Sequence, residues 1–362
     1  MRNGWTGAQY SLFRAGFGAY LAVVFLAAMP ASATGAIWAV AIAGAIASAA
    51  FAIGWRDRAA AIAVLVAGGA LGALVPGTLG PGAVLAAWVV VLHVFLPAAP
   101  YGSVDARGRS DPGNGWRMPD VVHTAHWIAL ALALVGLGVV VWRPDWGKEW
   151  LLLPEIVARG PRATLLAVLT LSVAPLALLP RLRQFAWLAA AAASALGVAL
   201  AVDERPFLGL AALLLVAFEP AWIAPREPAS LDIVFYDGSC GLCHRTIRFV
   251  LAEDEPAERF HFAPLGEAAF LERVDPRARA TLPDSIVLQR ADGLLLARAT
   301  AVLRIGRRLG GLWRLLAEAA SIVPAPARDA AYDAVARVRR RLFARPETAC
   351  PVLPPKLRRR FL

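Results

Sequence analysis

From its first residues to about position 225 this chain is a succession of long uncharged apolar runs, a pattern that fits one environment, the interior of a bilayer. Each run is close to the ~20 residues a helix needs to cross ~30 Å of hydrocarbon. In lipid every backbone N–H and C=O must be satisfied within the segment, which restricts such runs to helices. They fall at about 11–29, 35–54, 60–76, 82–99, 124–142, 164–180, 185–202 and 206–223. About eight spans are therefore expected, an α-helical polytopic membrane domain over 1–225, with Pro175 inside the sixth and the last one short. The first run begins at Ser11, contains Arg14 and leads straight into further runs, so a span is expected there and not a cleavable leader. Composition agrees: 59% of the 362 residues are hydrophobic and the mean hydropathy is +0.58. Alanine and glycine dominate the runs, which suits close helix packing in lipid.

The remaining residues have ordinary soluble composition and a basic balance. Of the net charge of +11, residues 226–362 hold about +7, from 23 basic and 16 acidic side chains. No aromatic–basic interleaving or binding motif accompanies the surplus, so no nucleic acid is expected as a partner. Basic residues beside an anionic lipid bilayer account for it. Loop charges set the orientation. Arg2, Arg56, Arg58, Arg107, Arg109, Arg117, Arg181 and Arg183 mark one side, whereas loops 30–34 and 77–81 lack Lys and Arg. Eight spans then place both termini in the cytoplasm, in the inner membrane of a bacterial-type cell. Loop 143–163 disagrees through Arg143, Lys148, Arg159 and Arg162; its stretch DWGKEWLLLPEIVARG mixes Trp, Leu and charge and reads as interfacial.

Ionisable residues near the runs are few: Arg14, His93, His123, His126 and Glu219. Arg14 and Glu219 lie near run ends and can snorkel. The three histidines offer a metal or quinone pocket, or simply hydrogen bonds between helices. The opening WTGAQYSLFRAGFGAY resembles the start of the membrane domain of bacterial relatives of the vitamin K-dependent carboxylase, which implies a helical membrane architecture and no catalytic residue.

Chemistry concentrates in LDIVFYDGSCGLCHRTIRFVL, residues 231–251, which holds two of the three cysteines. Leu231, Ile233 and Phe235 alternate with Asp232, Val234 and Tyr236, the pattern of a half-buried strand. Asp237-Gly238 is a turn dipeptide. Cys243, Ile247, Val250 and Leu251 then share one face at helical spacing. Cys240 therefore falls at a helix N-terminus, where unpaired N–H groups and the macrodipole favour negative charge. A thiolate is that charge, and it is the nucleophile of disulfide exchange. Two cysteines three apart in a first turn can reach one another.

Downstream the reading continues with a strand at RFHFAPL, a helix from about Gly266 to Val274, and two strands joined through Ala291-Asp292-Gly293. A helix over Ala299–Leu309 follows, then helices from about 310 to 322 and from Ala327 to Phe343, the latter ending in Arg339, Arg340 and Arg341 facing phospholipid. The closing KLRRRFL repeats the basic theme. The order β-α-β-α-β-β-α is similar to a thioredoxin-like core, expected over 229–310, with a helical basic extension over 311–362. That resemblance gives Leu282-Pro283-Asp284 a role, because a cis-proline before the third core strand lies against the CxxC in such folds; the alternative is a trans proline that starts a strand.

Asp237-x-x-Cys240-x-x-Cys243 in its setting, with FHFAPL, PDSIVL, ATAVLRIGRRLGGLWRLL and AYDAVARVRRRLF, resembles the DCC family of thiol-disulfide oxidoreductases over about 230–350. The resemblance implies a thioredoxin-like fold, dithiol redox chemistry without a cofactor, and a protein or small-molecule thiol or disulfide as partner. Cys240 is then expected to be the exposed nucleophile and Cys243 the resolving thiol. Arg245 and Arg248 would stabilise a thiolate or steer an acidic partner. Asp237 would cap the helix or relay a proton to Cys243.

Three other readings compete. Cys240-x-x-Cys243-His244 also spells the attachment pattern of a c-type haem. Cys240 and Cys243, with His244 or His261 and Cys350, would make a four-ligand zinc site. The domain would otherwise bind a partner without catalysis. Cys350 is otherwise expected to be a free thiol or a distant resolving one.

Overall fold

The computed structural model describes residues 3–27, 34–76, 81–142, 161–200, 205–227, 230–254, 258–343 and 353–362. The interfacial stretch Asp145–Gly160 and Cys350 lie outside the described residues. The chain divides into two compact units: Met1–Asn3, Tyr10–Asp105 and Met118–Glu219 in one, and Gly4–Gln9, Ala106–Arg117 and Pro220–Leu362 in the other.

The first unit is helical. Its described helices are α1 (Gly7–Ala27, whose first turn belongs to the other unit), α2 (Gly35–Ile53), α3 (Asp57–Leu74), α4 (Pro81–Val94), α5 (Asp120–Trp142), α6 (Pro161–Ala177), α7 (Arg183–Leu200) and α8 (Arg205–Ala217). Among the described residues four stretches have the length and hydropathy to cross a membrane: α1, α2, α3 and Asp120–Val139 of α5. The eight expected spans are not supported. The apolar run of α4 yields a helix of 14 residues and that of α8 one of 13. At 1.5 Å per residue these reach only ~20 Å, short of the ~30 Å of a hydrocarbon core. Small residues do bring helices close together: a Cβ on Gly209 of α8 would lie 2.3 Å from the carbonyl oxygen of Gly82 on α4.

Polar groups in this unit pair with one another. Arg14 does not snorkel; it is fully buried, and its Nη1 lies 3.5 Å from Asp57 Oδ2. Glu219 pairs with Arg183 at 3.3 Å. Tyr10 Oη is 2.7 Å from His93 Nδ1, while His123 and His126 bond the carbonyls of Phe218 and Val122. Among the described residues no three His, Cys, Asp or Glu side chains gather in a metal-binding group.

The second unit is an α/β domain on a four-stranded mixed sheet of order β2-β1-β3-β4. Strand β1 (Asp232–Tyr236) runs parallel to β2 (Phe260–Pro264) and antiparallel to β3 (Val287–Gln289), which pairs antiparallel with β4 (Leu295–Ala297). Helix α9 (Gly241–Glu253) connects β1 to β2; α10 (Ala268–Arg273) and α11 (Pro276–Thr281) connect β2 to β3; α12 (Arg298–Leu309) follows β4. Then come α13 (Gly311–Ser321), α14 (Ala325–Leu342) and α15 (Pro355–Arg358).

The expected half-buried β1 is buried along its whole length, because it is central and both faces are covered. Val234 and Tyr236 pack with residues of α9 and α12, and Ile233 and Phe235 with Phe270 and Val274. Asp232 is therefore buried as well, and Arg304 (2.9 Å) and Arg308 (3.3 Å) of α12 neutralise it.

Distant segments complete this unit. Thr6 bridges to Arg117, and the buried Glu253 accepts from Thr6 Oγ1 at 2.5 Å, from the Ala8 amide at 3.2 Å and from the Trp313 indole. Burial raises the Glu253 carboxyl above its ordinary range, against these donors. At the other end of the chain, KLRRRFL is ordered onto the sheet. The Phe262 amide donates to the Arg360 carbonyl at 2.8 Å and the Leu362 amide to the Phe262 carbonyl at 3.0 Å. Arg360, 1% exposed, holds the buried Asp254 at 2.5 Å. Loss of one partner of a buried pair costs up to ~3 kcal/mol, and Arg259, 3.2 Å from Asp254, would still hold part of the charge. Arg360→Ala is expected to lower the melting temperature of the purified chain by several degrees. An unchanged melting temperature would show that the C-terminal residues are not part of the folded unit.

Candidate active site

The end of β1 delivers the chain into the turn Asp237-Gly238-Ser239. Asp237 Oδ1 accepts from the Ser239 amide at 2.9 Å and its hydroxyl at 2.7 Å. That is an Asx-type turn. Asp237 thus orders the loop before α9 and does not cap the helix; the N-cap is Cys240, in extended conformation. The Cys240 amide donates to the Asp237 carbonyl at 3.1 Å, and the His244 amide to the Cys240 carbonyl at 3.1 Å. Cys243 is one turn into the helix. Both thiols are free, and Cys240 lies close enough to act on the Cys243 thiol.

Neither thiol is open to solvent. Cys240 is 2% exposed and Cys243 8%, so the expectation of an exposed nucleophile is corrected. The thiols lie in a core cluster with Ile286, Leu353 and Leu357, against which Tyr332 of α14 packs; α14 also packs on α9 and carries Arg339 seven residues further on, on the same helix face. The Tyr332 hydroxyl accepts from the Ile286 amide at 2.9 Å, just beyond Pro283. Arg339 is 3% exposed; its Nη2 lies 2.7 Å from Asp284 Oδ1 and 3.5 Å from Asp237 Oδ2, and its charge acts on both thiols. Three segments therefore meet around the dithiol: the turn after β1, the Asp284–Ile286 segment and α14.

Burial pushes the Cys243 thiol up to about 12, the hydrogen bond and charge of Cys240 add to this, and Arg339 and the Asp237 backbone oppose it. Cys243 is thus a thiol at neutral pH. Of the other expected residues, Arg245 is exposed with its guanidinium 4.9 Å over the Phe343 ring, and Arg248 donates to the Arg109 carbonyl. His244 Nε2 bonds the Gly238 carbonyl at 3.1 Å and its ring meets Tyr236 edge-on, so it is engaged within the turn. Among the described residues no metal-binding group forms around it.

Comparison with known proteins agrees with this geometry. The family model of DCC1-like thiol-disulfide oxidoreductases matches residues 234–345, from β1 past α14. The uncharacterized protein YuxK of Bacillus subtilis (strain 168) is 30% identical over 134 residues, 36% of this chain and 93% of that protein. This chain belongs to the DCC1-like thiol-disulfide oxidoreductase family. No solved structure matches it. The DCC1-like match takes in Asp237, Cys240, Cys243, Pro283 and, at its far end, Arg339. It does not reach the opening segment, whose expected likeness to carboxylase relatives the comparisons do not show.

Sequence reasoning placed Arg339 in a lipid-facing basic run and assigned Tyr332 nothing. The signal available was their spacing of seven, which puts an aromatic and a cation on one face of an otherwise charged helix.

The raised Cys243 thiol has a consequence for the reduced DCC1-like domain. Folded Cys243 holds its proton more tightly than in the unfolded chain, where the value is near 9.0, so unfolding releases a proton at alkaline pH. Its contribution to stability is complete below pH ~9 and is lost as pH rises toward 12. The melting temperature of the reduced chain should fall across that window, and fall less in Cys243→Ser. Equal falls in the two proteins would refute a strongly held Cys243 proton.

Proposed function

We propose that this protein is a membrane-anchored thiol-disulfide oxidoreductase that works through a Cys240–Cys243 couple. One observation carries the reading: two free thiols, one helical turn apart, stand at the start of α9, directly after the central strand, in a domain of the DCC1-like family. The β-α-β-α-α-β-β-α order and the sheet order β2-β1-β3-β4 support a thioredoxin-like arrangement, in which Pro283 borders the pair.

In the reductive direction the Cys240 thiolate attacks one sulfur of a partner disulfide, RSSR′, forming a mixed disulfide and releasing R′S⁻. Cys243 then attacks Cys240 Sγ, closing the internal disulfide and expelling the second partner sulfur, which takes the Cys243 proton. The protein loses two electrons and the partner gains them. Helix N-terminal amides at Cys240 favour the attacking charge. Because the pair is buried, a partner reaches Cys240 only when its cover yields.

Arg2 before the first candidate span and Arg56 and Arg58 after the second support a cytoplasmic start of the chain, and an even number of spans, such as four, would return the α/β domain to the cytoplasm, where a reducing poise favours the reductive direction. The partner is a protein or small-molecule thiol or disulfide, and exposed Arg245, with Arg248, would favour an acidic one. Asp237 serves by ordering the turn that presents Cys240.

The test is intact mass after thiol trapping across a glutathione redox series, on the full chain with Cys350→Ser. A reversible two-thiol step, abolished by Cys240→Ser, is expected. Absence of any step at every poise would refute the oxidoreductase reading.

A further inference from the structure

The groups with charge or a titratable proton around the dithiol are Asp237, His244, Asp284, Tyr332 and Arg339. His244 is engaged with the Gly238 carbonyl and Tyr332 with the Ile286 amide. Two carboxylates then face one guanidinium. The carboxylates are not equivalent holders of it: the Asp284 side chain is 65% exposed and its attraction is screened by water, whereas Asp237 is at the long distance of 3.5 Å. Arg339 itself is dry, and its Nε has no hydrogen-bond partner among the described residues. A buried guanidinium N–H without an acceptor is costly, and an anion arriving in the same desolvated space is the group that relieves it. The reduced dithiol can supply that anion.

We propose that Arg339 sets the charge of the dithiol: held over the pair by Asp237 and Asp284, its guanidinium stabilises the thiolate on which exchange depends. This rests on the dithiol reading above and adds a residue to it. The thiolate and Asp284 compete for one cation in this arrangement. When the pair ionises, the guanidinium shifts its interaction toward sulfur and the exposed Asp284 returns to water. When the internal disulfide forms, the anion disappears and Arg339 goes back to the carboxylates. Attack and resolution thereby each change the interactions that hold α14 in place.

The experiment uses the full chain in detergent with Cys350→Ser, measuring iodoacetamide trapping against pH and the glutathione equilibrium. Arg339→Gln should move the pH midpoint of trapping upward by about one unit, read as a roughly tenfold slower trapping at neutral pH. Arg339→Lys, which keeps the cation, should recover most of the rate. Asp284→Asn should move the midpoint downward, and that shift should vanish when combined with Arg339→Gln. An unchanged pH profile in Arg339→Gln, or an equal effect of Asp284→Asn in both backgrounds, would overturn the proposal. If Arg339→Gln does not fold, an unshifted Asp284→Asn profile overturns it instead. Loss of the two-thiol step in the parent protein would sink the dithiol reading; a normal step with unmoved profiles would sink only the role of Arg339.

Discussion

The Asp232 carboxylate has no exposure to solvent, in the middle strand of the sheet, and removing such a charge from water costs several kcal/mol unless it is paired. Arg304 and Arg308 supply the pairing, which fixes α12 against β1 at two points one helical turn apart. Each arginine does more than neutralise. Arg304 also holds both oxygens of Glu227 at 2.7 Å, and Arg308 reaches the carbonyls of Arg226 and Ser230. The chain leading into the domain is therefore tied to the same helix that packs on its central strand. With both ends of that tie set, β1 has one register against β2 and β3, and its last residue points the chain into the Asp237 turn. The position of Cys240 is thus a consequence of a buried ion pair about a sheet's length away.

How much of this could be read from sequence depended on the range of the interaction. Strand β1, helix α9, the hairpin at Asp292-Gly293 and α12 were legible because alternation, helical spacing and turn chemistry are local. Gly293 sits at φ +86, as its turn requires. Asp232 was taken for the polar face of a half-buried strand, since its partners lie more than seventy residues away. Arg339 was taken for a lipid-facing charge for the same reason: its partners Asp237 and Asp284 are 102 and 55 residues distant. An Arg on an amphipathic helix reads as solvated until a remote carboxylate claims it.

Chain ends were illegible on different grounds. Arg360 and Phe361 sit in a short basic segment with no periodicity, so nothing local distinguishes an added strand from a loose tail. What holds them is the free edge of β2 and the buried charge of Asp254, features that exist only once the sheet has formed. The membrane half failed in the opposite way. Hydropathy runs are long, but turns and prolines divide the helices within them; α4 and α8 stop well short of their runs, and hydropathy alone does not show where a helix ends.

The dithiol itself sets two physical demands against each other. A covered pair is protected from adventitious oxidation, and the same cover raises the Cys243 thiol and so works against ionisation. An apolar lid would leave the pair inert at neutral pH. A lid bearing one dry guanidinium resolves the conflict, because the cation offsets desolvation for the one negative charge that exchange requires and does nothing for a second. Two thiolates in that space would repel each other, whereas one thiolate is offset by one cation. One cation beside the pair, as proposed for Arg339, matches the single charge that exchange requires, with the other sulfur still carrying the proton that the leaving group will need.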